Sequence, residues 1–268
     1  HRQIKKERSR TMKRDNLYKK RDESLRTKFE EVAEKYEEYR FSYPDELFED
    51  IIKFGQTGKK ALEIGIGTGK ATPKFLQNGY EIVAIEPVMN MLDISKRKFI
   101  GKRIEFVNNT FENFESTNEY DLIYAASSFH WINGCDRLGK IFSLLKTGGV
   151  FARFKTINII DLEKNINNEI LIKAYQNYLP DYLPTDKHKK HMTSDEYKQA
   201  GFWDFKRKEY YVDHEFSVDR YIKLINTYTE YLVLYEGLRK QFESYISTKL
   251  TNKNVVITQK CSLFLARK

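Results

Sequence analysis

Ala61-Leu62-Glu63-Ile64-Gly65-Ile66-Gly67-Thr68-Gly69-Lys70 is the stretch on which the fold turns. It reads as a short apolar strand, a glycine turn and the start of a helix. Glycines at Gly65, Gly67 and Gly69 let the backbone turn sharply and approach a ligand where a Cβ would clash. The next apolar run, Ile82–Ile85, ends in Glu86, which lies 21 residues beyond Gly65. An acid at that distance can accept hydrogen bonds from both hydroxyls of a ribose. The glycine spacing is GxGxG, not the GxGxxG of dinucleotide sites, and Lys70 does not sit in a phosphate-binding P-loop.

Outward from this unit the strand–helix alternation repeats. Strands are predicted at Ala61–Ile64, Ile82–Ile85, Ile104–Val107, Asp121–Ala125 and Gly149–Phe154, with helices near Lys70–Asn78, Met89–Ile100 and Asp136–Leu145. Short, almost wholly apolar strands in such a rhythm mean an α/β fold, a parallel sheet covered on both faces. Ahead of it, apolar positions from Leu25 to Tyr39 predict an amphipathic helix over about Glu23 to Arg40, and Pro44 opens a second helix. Behind it, Asp161–His191 has no strand rhythm and reads as helical segments with a Pro180–Pro184 loop. Two long strands, Phe205–Val212 and Val255–Ala266, flank helices at Val218–Tyr231 and Leu238–Leu250. The organisation expected is one domain over 29–268. It has a core at 58–156, a mainly helical cap from 157–204 and 217–250, and closing strands at 205–216 and 254–266.

Several motifs together resemble the class I S-adenosylmethionine-dependent methyltransferases. LEIGIGTGKAT and AIEPVMNML are similar to that family's first two motifs, and the likeness continues through YDLIYAASSFHWIN and LLKTGGVFARF. FHWI after the fourth strand, with YRFSYP at Tyr39–Pro44, resembles the methyltransferase type 11 group that includes trans-aconitate methyltransferase-like enzymes. The resemblance covers about Phe29 to Phe154 well and the rest loosely. It implies a Rossmann-like, seven-stranded, mostly parallel sheet whose last two strands form a hairpin. It also implies S-adenosylmethionine as cofactor and S-adenosylhomocysteine as product.

Residue by residue, the resemblance implies that Gly65, Gly67 and Gly69 line the methionyl and ribose part, with Glu63 at the amino-acid end. Glu86 would hold the ribose, Pro87 and Met91 would touch the adenosine, and Asn109 and Thr110 would stand at the adenine edge. Ala125 and Ala126 would leave room for the methyl, and Arg40 would lie near a carboxylate of cofactor or substrate. Simpler roles compete: strand-end acids for Glu63 and Glu86, loop polars for Asn109 and Thr110, helix core for Met91. Arg40 is equally a helix-end cation favoured by the macrodipole. His130 is a candidate substrate contact or general base, or a structural histidine beside Phe129 and Trp131.

Charge and composition narrow the partners. The 268 residues carry a net +9, but His1–Lys28 alone holds 12 Lys/Arg against 4 Asp/Glu. The remainder is nearly neutral, so the excess reads as a flexible basic leader, with residues 1–11 read as upstream of a start at Met12. Nucleic acid is therefore not the expected partner. AASS, Ala125 to Ser128, stands where amino-methylating DNA and RNA enzymes resemble NPPY. No apolar run reaches membrane-spanning length. Cys135 and Cys261 are too few for a disulfide framework, no metal-ligand spacing is visible, and a reducing, cytoplasmic compartment is the default.

The function expected is methyl transfer to oxygen of a small molecule, carboxylate or hydroxyl, by a monomer or homodimer without metal. The alternatives are a nucleic-acid or protein methyltransferase recruited by the leader, and a non-catalytic cofactor-binding protein. Lid residues Tyr175, Tyr178, Tyr182, Lys187, Lys189, Lys190, Tyr197, Tyr210 and Tyr211 read either as a pocket for an acidic acceptor or as a solvated cap.

Overall fold

The computed structural model describes residues 30–55, 58–134, 136–184 and 194–268. The basic leader, Cys135, Lys187, Lys189 and Lys190 lie outside them. Seven strands form one sheet in the order β3-β2-β1-β4-β5-β7-β6. They are β1 (Lys60–Ile64), β2 (Glu81–Ile85), β3 (Ile104–Val107), β4 (Tyr120–Ala126), β5 (Leu145–Ile160), β6 (Trp203–Ser217) and β7 (Asn254–Arg267). The first five pair in parallel, and β7 runs antiparallel between β5 and β6. This is the doubly covered α/β sheet that the apolar rhythm demands.

Side-chain alternation divides the core. Along β4, Leu122 and Tyr124 enter one buried cluster with Ala61, Phe75 and Phe154. Ile123 and Ala125 enter the opposite cluster with Leu62, Ile64 and Phe151. Helices cover both faces: α1 (residues 30–39), α2 (Asp45–Phe54), α3 (Thr72–Gln77), α4 (Met89–Lys98) and α5 (Arg137–Leu144). Helix α2 starts after Pro44, carries Asp45 and Glu46 in its first turn and Lys53 in its last, and so complements its own dipole. The Asp136 side chain caps α5 by accepting from Gly139 N at 3.1 Å.

Two strands, β5 and β6, run more than one residue past the expected bounds. β5 runs six residues past Phe154, and Ile157–Ile160 pair with Lys260–Ile257 of β7. Polar Lys155, Thr156 and Asn158 hide this extension from an apolar-run criterion. A third core cluster forms on it from α6 (Asn168–Tyr178), α8 (Val218–Ile225), α9 (Thr229–Leu232) and α10 (Glu236–Lys249). The remaining helix, α7, spans Ser194–Gln199. The single helix expected at Val218–Tyr231 is broken at Asn226–Tyr228. There Asn226 Nδ2 donates to Ile222 O at 2.9 Å and Thr227 Oγ1 to Leu224 O at 2.6 Å. Side chains that bond the preceding turn's carbonyls compete with helix continuation. Among the described residues no helix is long and apolar enough to cross a membrane.

Candidate functional site

β1 ends beneath a cavity at the C-terminal edge of the parallel strands. Open α/β sheets bind ligands at this edge, where the strand order reverses between β1 and β4. The turn after Ile64 is drawn over β2, because Gly65 N and Ile66 N both donate to Ile85 O, at 2.9 and 3.1 Å. Gly65 has φ +71°, and a Cβ there would stand 2.6 Å from Ser128 Cβ. Gly67, at φ +58°, faces open space, since a Cβ would meet nothing nearer than Met91 Sδ at 4.0 Å. The loop is thus a cradle with one glycine against protein and one against the cavity.

Two buried acids face it. Glu86 is 6% exposed; its Oε2 accepts from Gly67 N at 2.8 Å and its Oε1 from Val88 N at 2.9 Å. One carboxylate therefore shapes both loops. Glu63 is fully buried at the end of β1. Its Oε2 accepts from Tyr124 O–H at 2.7 Å and from Thr72 Oγ1 at 2.8 Å, while Oε1 has no hydrogen-bond partner. Burial raises its pKa to about 7, against the two hydrogen bonds that lower it and with the Glu86 charge adding to the rise. A buried carboxylate oxygen left unpaired is costly. Here it lies in a residue that lines the cavity, so a cationic donor would complete it.

The sequence candidates separate cleanly. Glu63, Gly65, Gly67, Glu86, Pro87, Met91, Thr110 and Ala126 line the cavity; Gly69, Asn109, Ala125, His130 and Arg40 do not. Gly69 lies behind the loop, where a Cβ would strike Phe99. Asn109 braces its own loop, accepting from Thr110 N at 2.9 Å and donating to Asn113 O at 3.3 Å. Ala125 points to the opposite core cluster because strand alternation sends only Ala126 towards the site. His130 is exposed, its ring 5.2 Å from that of Trp131, and of Phe129, His130 and Trp131 it is Trp131 that reaches the cavity.

Arg40 is engaged elsewhere. Its Nε donates to Thr227 Oγ1 at 2.7 Å, its Nη2 to Thr227 O at 3.0 Å, and its guanidinium lies 3.7 Å over the Tyr228 ring. The cation thus ties the end of α1 to the turn between α8 and α9. Arg40→Gln is expected to lower Tm by about 5 °C, from a loss of about 2 kcal/mol, which thermal unfolding of the full chain would show.

Further residues complete the walls. Tyr124 and Thr72 hold Glu63; a tyrosine inside an apolar strand needs a partner for its hydroxyl, and that was the available signal. Tyr36, Lys70, Phe111, Glu112, Tyr43, Ser127 and Ser128 also line the cavity. Lys70 Nζ donates to Glu37 O at 2.7 Å and lies 3.4 Å from Glu37 Oε2, which holds α1 over the glycine turn. Among the described residues no group of three His, Cys, Asp or Glu is placed to hold a metal ion.

The parallel sheet, with its glycine turn facing two buried acids, is the arrangement expected from the resemblance to class I S-adenosylmethionine-dependent methyltransferases. Comparison with known proteins agrees: residues 61–149 match the family model described as a methyltransferase domain, and the chain carries such a domain. It is 31% identical over 155 residues to the "Probable S-adenosylmethionine-dependent methyltransferase CRG1" of Saccharomyces cerevisiae, covering 54% of this chain and 53% of that one. The chain spans about half the length of the curated relatives it matches. Among solved structures, one from Anaeromyxobacter dehalogenans, assigned by its name to the type II methyltransferases, superposes with TM-score 0.60 at 15% identity. The match covers 85% of this chain and 98% of that one. Phosphoethanolamine N-methyltransferase 2 of Haemonchus contortus, solved with S-adenosylhomocysteine, gives TM-score 0.50 at 17% identity, over 89% of this chain and 57% of that one.

Proposed function

We propose that the protein transfers a methyl group from S-adenosylmethionine to oxygen of a small molecule. The observation that carries the cofactor part is that Glu63, with one carboxylate oxygen unpaired, lines the same cavity as Glu86 and the open face of Gly67. The residues fit the cofactor. Glu63 Oε1 would accept from the methionyl ammonium and Glu86 from the ribose hydroxyls. Pro87, Val88, Met91, Thr110 and Phe111 would enclose the adenine. Asn109 acts through Thr110, by shaping the loop. When bound, the cofactor supplies an electrophilic methyl on a sulfonium sulfur that departs as a neutral thioether.

The chain's own work is positional. Gly65 and Ser128 fix the turn, Ala126 leaves space at the end of β4, and α1 with Tyr36 shields the site from water. An in-line displacement would draw on an electron pair of the acceptor oxygen, which the residues at the end of β4 would hold in line. A carboxylate brings that electron pair already ionised, whereas a hydroxyl must surrender a proton. A screen of radiolabelled methyl transfer over carboxylic acids, phenols and amines tests this, with Glu86→Ala as the blank. Transfer to an oxygen acceptor with release of S-adenosylhomocysteine is expected; transfer to amines alone refutes the oxygen assignment.

Glu63 makes binding proton-linked. Its folded pKa, about 7, lies above the ordinary 4.5, so its contribution to ligand-free stability is full below 4.5 and lost as pH rises through 7. An ammonium beside Oε1 pulls that pKa down. S-adenosylhomocysteine binding between pH 6 and 7 should therefore release protons, read by calorimetry in buffers of different ionisation enthalpy. Glu63→Gln should abolish the release.

A further inference from the structure

Tyr43 and Ser127 form a hydroxyl pair where the α1–α2 connection meets the end of β4, and both line the cavity. Ser127 is a non-glycine residue at φ +56°, an uncommon conformation for such a residue. The surrounding structure holds it there: Ser127 N donates to Phe154 O at 2.8 Å, and the Tyr43 ring packs edge-on against Phe154 at 4.9 Å. Residues held in such conformations cluster at active sites and ligand clamps.

The hydrogen bonds of Ser127 leave one group unspent. A serine hydroxyl has two lone pairs and one proton. Ser127 Oγ accepts from the Tyr43 hydroxyl at 3.0 Å and from Thr156 N at 3.4 Å, which engages both lone pairs. Burial pushes the Tyr43 pKa up, so the phenol keeps the proton it donates. Among the described residues no acceptor is placed for Ser127's own proton, and the open side of Ser127 is the cavity. Its neighbour differs: Ser128 Oγ spends its proton on Ile64 O.

We propose that Ser127 is the residue that positions the methyl acceptor, donating one hydrogen bond to a lone pair of the acceptor's reacting group, and that Tyr43 enforces this polarity. Ser127 is then a donor and not a base, since no lone pair is left to take a proton. An acceptor selected here presents lone pairs to the β4 end, and a group bearing only N–H donors is rejected. This inference rests on the methyltransferase reading of the same cavity.

The test uses two probes of nearly equal shape, benzoate with lone pairs only and benzamidinium with donors only, titrated into the full chain loaded with S-adenosylhomocysteine. Benzoate should bind at least about tenfold tighter than benzamidinium. Ser127→Ala should weaken benzoate about tenfold while cofactor-product affinity stays within about twofold. Tyr43→Phe frees the Ser127 proton to turn away and should weaken benzoate about threefold. Ser127→Asn, which suits the left-handed backbone and carries an amide donor, should retain benzoate; Ser127→Asp, equally suited but without a donor, should lose it. This pair decides the matter should the alanine variant not fold. Absent benzoate binding, equal binding of the two probes, or benzoate affinity unmoved between Ser127→Asn and Ser127→Asp overturns the assignment. Failure of the unmodified chain to bind S-adenosylhomocysteine overturns the methyltransferase reading itself; normal binding with no Ser127 effect overturns this inference alone.

Discussion

Glu86→Ala should abolish S-adenosylhomocysteine binding, weakening it by at least about 100-fold. The size follows from two losses at once. The side chain offers its oxygens to a ribose, and hydrogen bonds to a charged acceptor contribute about 1.5–3 kcal/mol each. The same oxygens hold Gly67 N and Val88 N, so the alanine also releases the glycine loop and the start of α4 from each other. Glu86→Gln separates the parts: an amide can accept only one of these two N–H groups. It should therefore fall between the alanine variant and the unmodified chain, and titration calorimetry of the three proteins would rank them. Equal affinity across the series would remove Glu86 from the site.

Gly65→Ala is the second large effect, and its cause is steric. The new methyl would sit 2.6 Å from Ser128 Cβ on a residue at φ +71°. The Ser128 backbone cannot retreat freely, because its hydroxyl is bound to Ile64 O. Either the glycine turn or the end of β4 must move, and both line the cavity. A left-handed conformation costs a non-glycine residue about 1–2 kcal/mol, and the clash adds to it. A Tm fall of several degrees with loss of measurable S-adenosylhomocysteine binding is expected from paired thermal and binding measurements. By contrast Gly67→Ala meets only Met91 Sδ at 4.0 Å in the protein, so it should cost less Tm while still crowding the ligand.

Legibility in the sequence followed the physics of each element. β1 through β4 were readable to within a residue at each end because buried parallel strands are continuous apolar runs bounded by turns. The outer half of β5 was not, since Lys155, Thr156 and Asn158 face a partly polar junction. The acids and the glycine turn were legible as a spacing, but which face a side chain takes was not. Ala125 and Ala126 differ by one step of the pleat, and only the register with β1 and β5 sends Ala126 to the cavity. Arg40 illustrates a different limit. A lone cation near the motif invites a carboxylate, while its partner, Thr227, lies 187 residues away and can be recognised only once the cap is folded. Ser127 carried no pattern at all; its meaning lies in three hydrogen bonds and one dihedral angle.

One titration tests the cavity most directly: S-adenosylhomocysteine into the full chain, followed by calorimetry at neutral pH. A single saturable site per chain, lost in Glu86→Ala and silent to Arg40→Gln, is the predicted result. Absence of saturation at millimolar ligand, or undiminished binding in Glu86→Ala, would contradict the assignment of this cavity.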